Sequence, residues 1–217
     1  MNAYKKLCAV FAAFMTVATI IMLTSCNADG MAQVSERRSG YFVASDAEFE
    51  INAVSGVRED PFVADGKVGA LVAYTLLTVK PTKFDVDAQY TYTATVGSGA
   101  FGGALVVHPF AASFSAEFSA EATTDFTVTV KLGDATREYS LHSIVAADTV
   151  TFSEAIAEAK KAVGKIDFDY EIRARLIKNP LEKNGGLCWH IGFYGADATL
   201  GALLDPVTAK PLAVKRS

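Results

Sequence analysis

From about Ser45 to Val145, apolar and polar residues alternate along the chain in short runs. The stretches "AEFEINAV", "AQYTYTATV", "SFSAEFSAEA", "DFTVTVKLG" and "TREYSLHSIV" each place an apolar or aromatic side chain at every second position. Phe114, Ala116, Phe118 and Ala120 fall on one side of such a run, and Ser115, Glu117, Ser119 and Glu121 on the other. That is the pattern of a strand with one buried face. "KVGALVAYTLLTVKP" is more continuously apolar and predicts a strand buried on both faces, or a bent one. The turn-rich pieces "REDPFVADG", "KPTKFD", "GSGAFGG" and "LGDA" separate these runs.

About seven short strands in roughly a hundred residues predict an antiparallel β-sandwich over residues 45–146, immunoglobulin-like by analogy. The tyrosine corner and the cysteine and tryptophan hallmarks of true immunoglobulin domains are absent. At Thr149 the period changes. In "TFSEAIAEAKKAVG", Phe152, Ala155, Ile156, Ala159 and Val163 share one helical face, Thr151 and Glu154 form a capping box, and Gly164 stands at the C-cap. Three strand-like runs follow, "DFDYEIRARLIK", "LCWHIGFYG" and "ATLGALLD". Residues 147–217 therefore read as a second, α+β unit whose helix covers one sheet face.

The beginning of the chain has a different pattern. Lys5 and Lys6 precede an almost unbroken apolar run from Leu7 to Leu23, with no acidic residue in the first 25. This layout predicts a signal peptide over residues 1–25. Leu23, Thr24, Ser25 and Cys26 resemble the bacterial lipobox, which implies cleavage before Cys26 and a diacylglyceryl group on its sulfur. Two or more acyl chains anchor a protein stably where one does not. An uncleaved signal anchor and a structural half-cystine remain the alternatives for this segment. Residues 26–44, in which Glu36, Arg37 and Arg38 break any apolar period, read as a tether.

Without Lys5 and Lys6, 18 Lys and Arg stand against 24 Asp and Glu, a net charge of −6 with histidines neutral. This balance opposes a nucleic-acid footprint and a polybasic membrane-surface helix. Of three cysteines, Cys8 leaves with the signal and Cys26 takes the lipid. Cys188 is then alone, so the expected mature fold contains no internal disulfide.

Residues 150–214 resemble a PepSY-type domain. The resemblance rests on the capped helix "TFSEAIAEAKKAVG", the alternating strands after it, and "LLDPVTAKPL", which is similar to the closing motif Asp-x-x-Thr-Gly-x-x-Leu. Ala209 stands where the family usually has Gly, and the turn "KNPLEKNGG" is longer than the family's. The resemblance implies an exported or membrane-anchored bacterial protein linked to restraint or regulation of envelope peptidases. It brings no catalytic residues. Asp205 and Thr208 would organise a turn and Leu212 would pack.

Candidate chemistry is sparse. Cys188 and His190 share a strand face, but no third group orients the histidine as a base, so a buried thiol beside an edge histidine is the preferred reading. Asp167, Asp169 and Glu171 would share a face and could begin a calcium site; Arg173 and Arg175 continue that face and favour ordinary ion pairs. His108, His142 and His190 lack zinc-ligand spacing. "GSGAFGG" lacks the Lys-Ser/Thr of a phosphate loop and reads as a flexible hairpin loop with Phe101 at its tip as a contact residue. Trp189, Ile191 and Phe193 face the helix, which leaves His190 and Tyr194 on the other face as candidate contacts. No cofactor and no catalytic set is expected. The sequence thus predicts a lipid-anchored envelope module that binds a protein partner, with glycan or peptide capture as the alternative and a hydrolase third.

Overall fold

The computed structural model describes residues 31–183 and 185–216. The predicted signal peptide, Cys26 and the first part of the tether lie outside the described residues. Within them the chain is mainly β, with thirteen strands and one helix. The first group comprises β1 (Val34–Ser45), β2 (Phe49–Glu59), β3 (Leu71–Pro81), β4 (Tyr90–Val96), β5 (Gly99–Ala104), β6 (Val106–Val107), β7 (Phe114–Phe118), β8 (Phe126–Leu132) and β9 (Ala135–Ser143). Helix α1 (Phe152–Val163) follows, then β10 (Glu171–Lys178), β11 (Leu187–Tyr194), β12 (Thr199–Leu204) and β13 (Pro211–Arg216). No helix among the described residues is long and apolar enough to cross a membrane.

The alternating runs form strands where the pattern places them. Their inward residues, among them Ile51, Phe114, Phe126, Val128 and Leu141, make one core with Leu77 of β3 and Phe42 of β1. Helix α1 begins and ends as its caps predict: the Thr151 hydroxyl accepts the Glu154 N–H, and the Glu154 carboxylate accepts the Thr151 N–H at 2.8 Å. Its face of Ala155, Ile156, Ala159 and Val163 meets Ile172, Leu176, Trp189, Ile191, Phe193 and Leu204 in a second core. Each large side chain fully buried in this way contributes about 1.5–3 kcal/mol. The Trp189 indole N–H donates to the Val150 carbonyl at 3.1 Å, which pins the entry to the helix against β11.

The tether expected over residues 26–44 is corrected from Val34 onward, because this stretch is strand β1 and sits inside the sheet. One edge of β1 pairs antiparallel with β2. Its other edge is divided: Val34 to Arg38 pair with β10, and Phe42 and Val43 pair with β9. The β10 pairing is parallel, so the sheet is mixed at this seam and continuous from β13 through β12, β11, β10, β1, β2, β3 and β7 to β6. Two cores therefore share one sheet. The charged residues 36–38 hid this strand from a period count, since an interior strand tolerates charge when neighbours pair it.

A bulge between Arg37 and Gly40 lets β1 change partners on one edge while keeping β2 on the other. Gly56 lies opposite it. A Cβ there would come within 2.0 Å of the Arg37 carbonyl oxygen and 2.8 Å of the Arg38 Cα, both backbone atoms that cannot swing away. Ser55 satisfies polar groups beside the bulge, its hydroxyl accepting the Ala122 N–H at 2.7 Å and lying 2.9 Å from the Thr75 hydroxyl. Gly56→Ala should lower stability by about 1–3 kcal/mol, read as a fall in the urea midpoint at unchanged slope. An unaltered midpoint would show that the two strands are not held this closely.

Candidate functional site

Strand β11 presents two faces, and the sequence assigned them in the observed sense. Trp189, Ile191 and Phe193 are buried against α1, whereas His190 and Tyr194 are half-buried on the face that α1 leaves open. Residues paired across neighbouring strands share a face, so one row runs from Ala213 on β13 through Leu203, His190 and Arg175 to Arg38 on β1. The next row is Lys215, Gly201, Gly192, Arg173 and Glu36. Of its two glycines, Gly201 lines a depression, whereas the space over Gly192 is filled. A Cβ on Gly192 would meet the Tyr194 ring at 2.4 Å, because that ring lies over the glycine.

The depression is a groove of about 470 Å³, open to solvent, and Ile177, Pro180, His190, Tyr194, Leu203 and Lys215 are among its walls. Burial, then Arg175 and Arg38, push the His190 pKa down, so the ring enters the groove wall as a neutral imidazole at pH 7.

Beside the groove lies a buried ionic cluster. Glu36 is 2 % exposed; its Oε1 accepts the Tyr74 hydroxyl at 2.7 Å, and its Oε2 accepts Nε–H from Arg173 at 2.6 Å and from Arg175 at 2.7 Å. Burial pushes this carboxyl up, but Arg175, the Tyr74 hydroxyl, Arg173 and Arg38 together outweigh it and hold Glu36 below the ordinary carboxylate range. Arg173 is further occupied by aromatic rings, its guanidinium 4.1 Å from the centre of Phe62 and 5.8 Å from that of Tyr194. Arg38 stands apart. No ion pair or side-chain hydrogen bond joins it to another described residue, and its Nε is buried without a partner.

The acidic face expected from Asp167, Asp169 and Glu171 is not formed. Asp167 and Asp169 precede β10 and are exposed, while Glu171 opens the strand and is fully buried. Among the described residues no group of three metal-ligating side chains assembles. Both Glu171 oxygens, like Glu59 Oε2, are buried without a partner of hydrogen-bond geometry, and Glu59 Oε1 accepts the Gly69 N–H at 2.7 Å. Burial and the neighbouring Glu59 push the Glu171 pKa up to about 7.

Other expected contacts are placed differently. Phe101 is not at a loop tip: "GSGAFGG" makes a tight turn at Gly97 and Ser98 and continues as β5, where Phe101 stacks on Phe118 at 4.8 Å and packs on the first core. Cys188 is fully buried, and burial pushes its thiol up to about 11, which leaves it protonated beside His190. His142 bonds Asp125 at 2.8 Å, far along the chain from the groove. The Asp205 carboxylate accepts the Val207 and Thr208 N–H groups and the Thr208 hydroxyl, organising the closing turn, and Ala209 adopts the left-handed conformation (φ 53°) that glycine usually takes. Leu212, expected to pack, is 42 % exposed. Phe110, 93 % exposed in the loop between β6 and β7, carried no pattern that would have singled it out.

Comparison with protein families, curated proteins and solved structures finds no match. The buried acid supplies a test that needs no relative. The folded chain keeps a proton on Glu171 that the unfolded chain loses near pH 4.5, so stability should be full below that value and fall as pH rises to about 7. The loss amounts to about 3 kcal/mol. Glu171→Gln, which keeps the shape and removes the titration, should flatten this slope in urea denaturation and be the more stable chain at pH 8. Equal slopes in the two proteins would refute the protonated state.

Proposed function

We propose that this chain is an exported, lipid-anchored protein of the bacterial cell envelope that acts as a binding or regulatory module for a protein partner. The observation that carries the reading is the open face of β10–β13, where His190 and Tyr194 border an apolar groove beside a cluster of arginines. A cleft with an apolar floor and a few convergent polar groups is the usual form of a binding site. In this reading Cys26 carries the lipid and holds the groove near the membrane, which raises its effective concentration for envelope partners.

The finer architecture belongs to the same proposal. The first core, lined from β1, β2, β3 and β7 on one side and β4, β8 and β9 on the other, supports an immunoglobulin-like sandwich. The capped helix over an antiparallel sheet, with the Asp205 and Thr208 turn at its end, supports a PepSY-like second unit. A peptidase is the partner class that this likeness suggests.

Crosslinking in intact envelopes followed by mass spectrometry should recover one reproducible protein partner, and Leu203→Glu in the groove should lose it. A clear glycan-array hit with no partner would favour ligand capture instead. Cys26→Ala should abolish lipid labelling and release the chain from the membrane fraction; a variant that remains membrane-bound would establish a signal anchor.

A further inference from the structure

The cluster beside the groove carries more cation than its own acid uses. Three guanidinium groups, Arg38, Arg173 and Arg175, surround the single carboxylate of Glu36. Tyr74, Arg173 and Arg175 already take both of its oxygens, so Arg38 is a half-buried charge that acts on Glu36 only through space and has no direct ion pair among the described residues. Withdrawing a cation from water without a close partner is unfavourable, and the cost falls when an anion arrives. Leu203 in the groove lies two strand spacings from Arg175, about 10 Å, and Arg38 is one strand further, about 14 Å.

On the reading of this face as a protein-binding surface, we propose that it takes an extended peptide segment in which a carboxylate lies two to four residues from an apolar side chain. Arg38 and Arg175 hold the carboxylate, and the apolar side chain enters the groove over Gly201 and Leu203. Residues two and four apart in an extended peptide point the same way and lie about 7 and about 14 Å apart, a range that covers the distances from Arg175 and Arg38 to Leu203. The open groove favours a peptide over an acyl chain. A hydrocarbon tail in it would leave much of its apolar surface in water, whereas a peptide needs water for its unpaired N–H and C=O groups.

Arg38 makes the proposal separable from folding, since no described side chain depends on it for a hydrogen bond. The full chain in phosphatidylcholine nanodiscs would be titrated calorimetrically with acetylated, amidated pentapeptides Glu-Ala-Φ-Ala-Φ, where Φ is Leu, Val or Phe, and with their Gln counterparts. The Glu peptides should bind at least about tenfold more tightly than the Gln peptides. Arg38→Gln should erase that difference while changing the urea midpoint little, since Arg38 is the smallest of the contributions that hold Glu36 ionised, and Leu203→Glu should weaken both sets. Equal binding of Glu and Gln peptides would overturn the carboxylate subsite and leave the protein-binding reading standing. Binding of dodecanoate but of no peptide would overturn both, and so would millimolar titrations in which nothing binds. A lowered urea midpoint for Arg38→Gln, with the Glu preference intact, would make Arg38 structural and overturn its role here.

Discussion

A strand has two hydrogen-bonding edges, and β1 divides one of them between partners that belong to different cores. Its first half pairs with β10 in parallel, its second with β9 in antiparallel sense, and β2 runs along the opposite edge from Glu36 to Ser45. The bulge at Arg37 to Gly40 makes the exchange geometrically feasible, and the absence of a side chain at Gly56 lets the bulged backbone sit against β2. Removing β1 would leave β10 with a bare edge, the first core without Phe42, and the second without Val34. The helix-plus-sheet unit is thus an extension of the sheet that also serves the first core.

What was legible in the sequence follows from where side-chain periodicity decides structure. The Phe114 to Phe118 and Phe126 to Leu132 alternations became strands because one face of each meets the core, and α1 formed between its own caps. The same logic placed Trp189 inward and His190 outward on β11. It failed for β1, where Glu36, Arg37 and Arg38 look solvated in the sequence, and for Phe101, whose glycine neighbours suggested a loop but form a strand. At β5 the glycines pair with the adjacent β4 as a hairpin, whereas at β1 partners far along the chain decide the outcome: Arg173 is 137 residues from Glu36. Periodicity within a window cannot register such a partner. For the same reason Arg173 and Arg175 were read as balancing neighbouring acids on their own strand, when their carboxylate lies across the β1–β10 seam.

The two buried acids near this seam show opposite solutions to one electrostatic problem. Glu36 stays ionised because guanidinium and hydroxyl donors converge on it. Glu171, equally removed from water, faces Glu59 instead and resolves the cost by keeping its proton. Neither arrangement is a strong source of net stability, since a desolvated ion pair recovers little more than it loses. The Glu36 cluster is nonetheless specifying: its donors from β10 reach it only in one register of β1 against β10.

The long separation across that register also bears on how the chain reaches its fold. As the chain emerges from its N-terminus, β1 can meet β2 at once, but half of its other edge has no partner until about residue 172 has followed. An unpaired edge of this kind invites strands from neighbouring molecules. The residues along the waiting half are Glu36, Arg37 and Arg38, and charged side chains on an open edge are what discourages such pairing. Charge in the middle of a strand, costly to bury at the end, protects the growing molecule from its neighbours until β10 arrives.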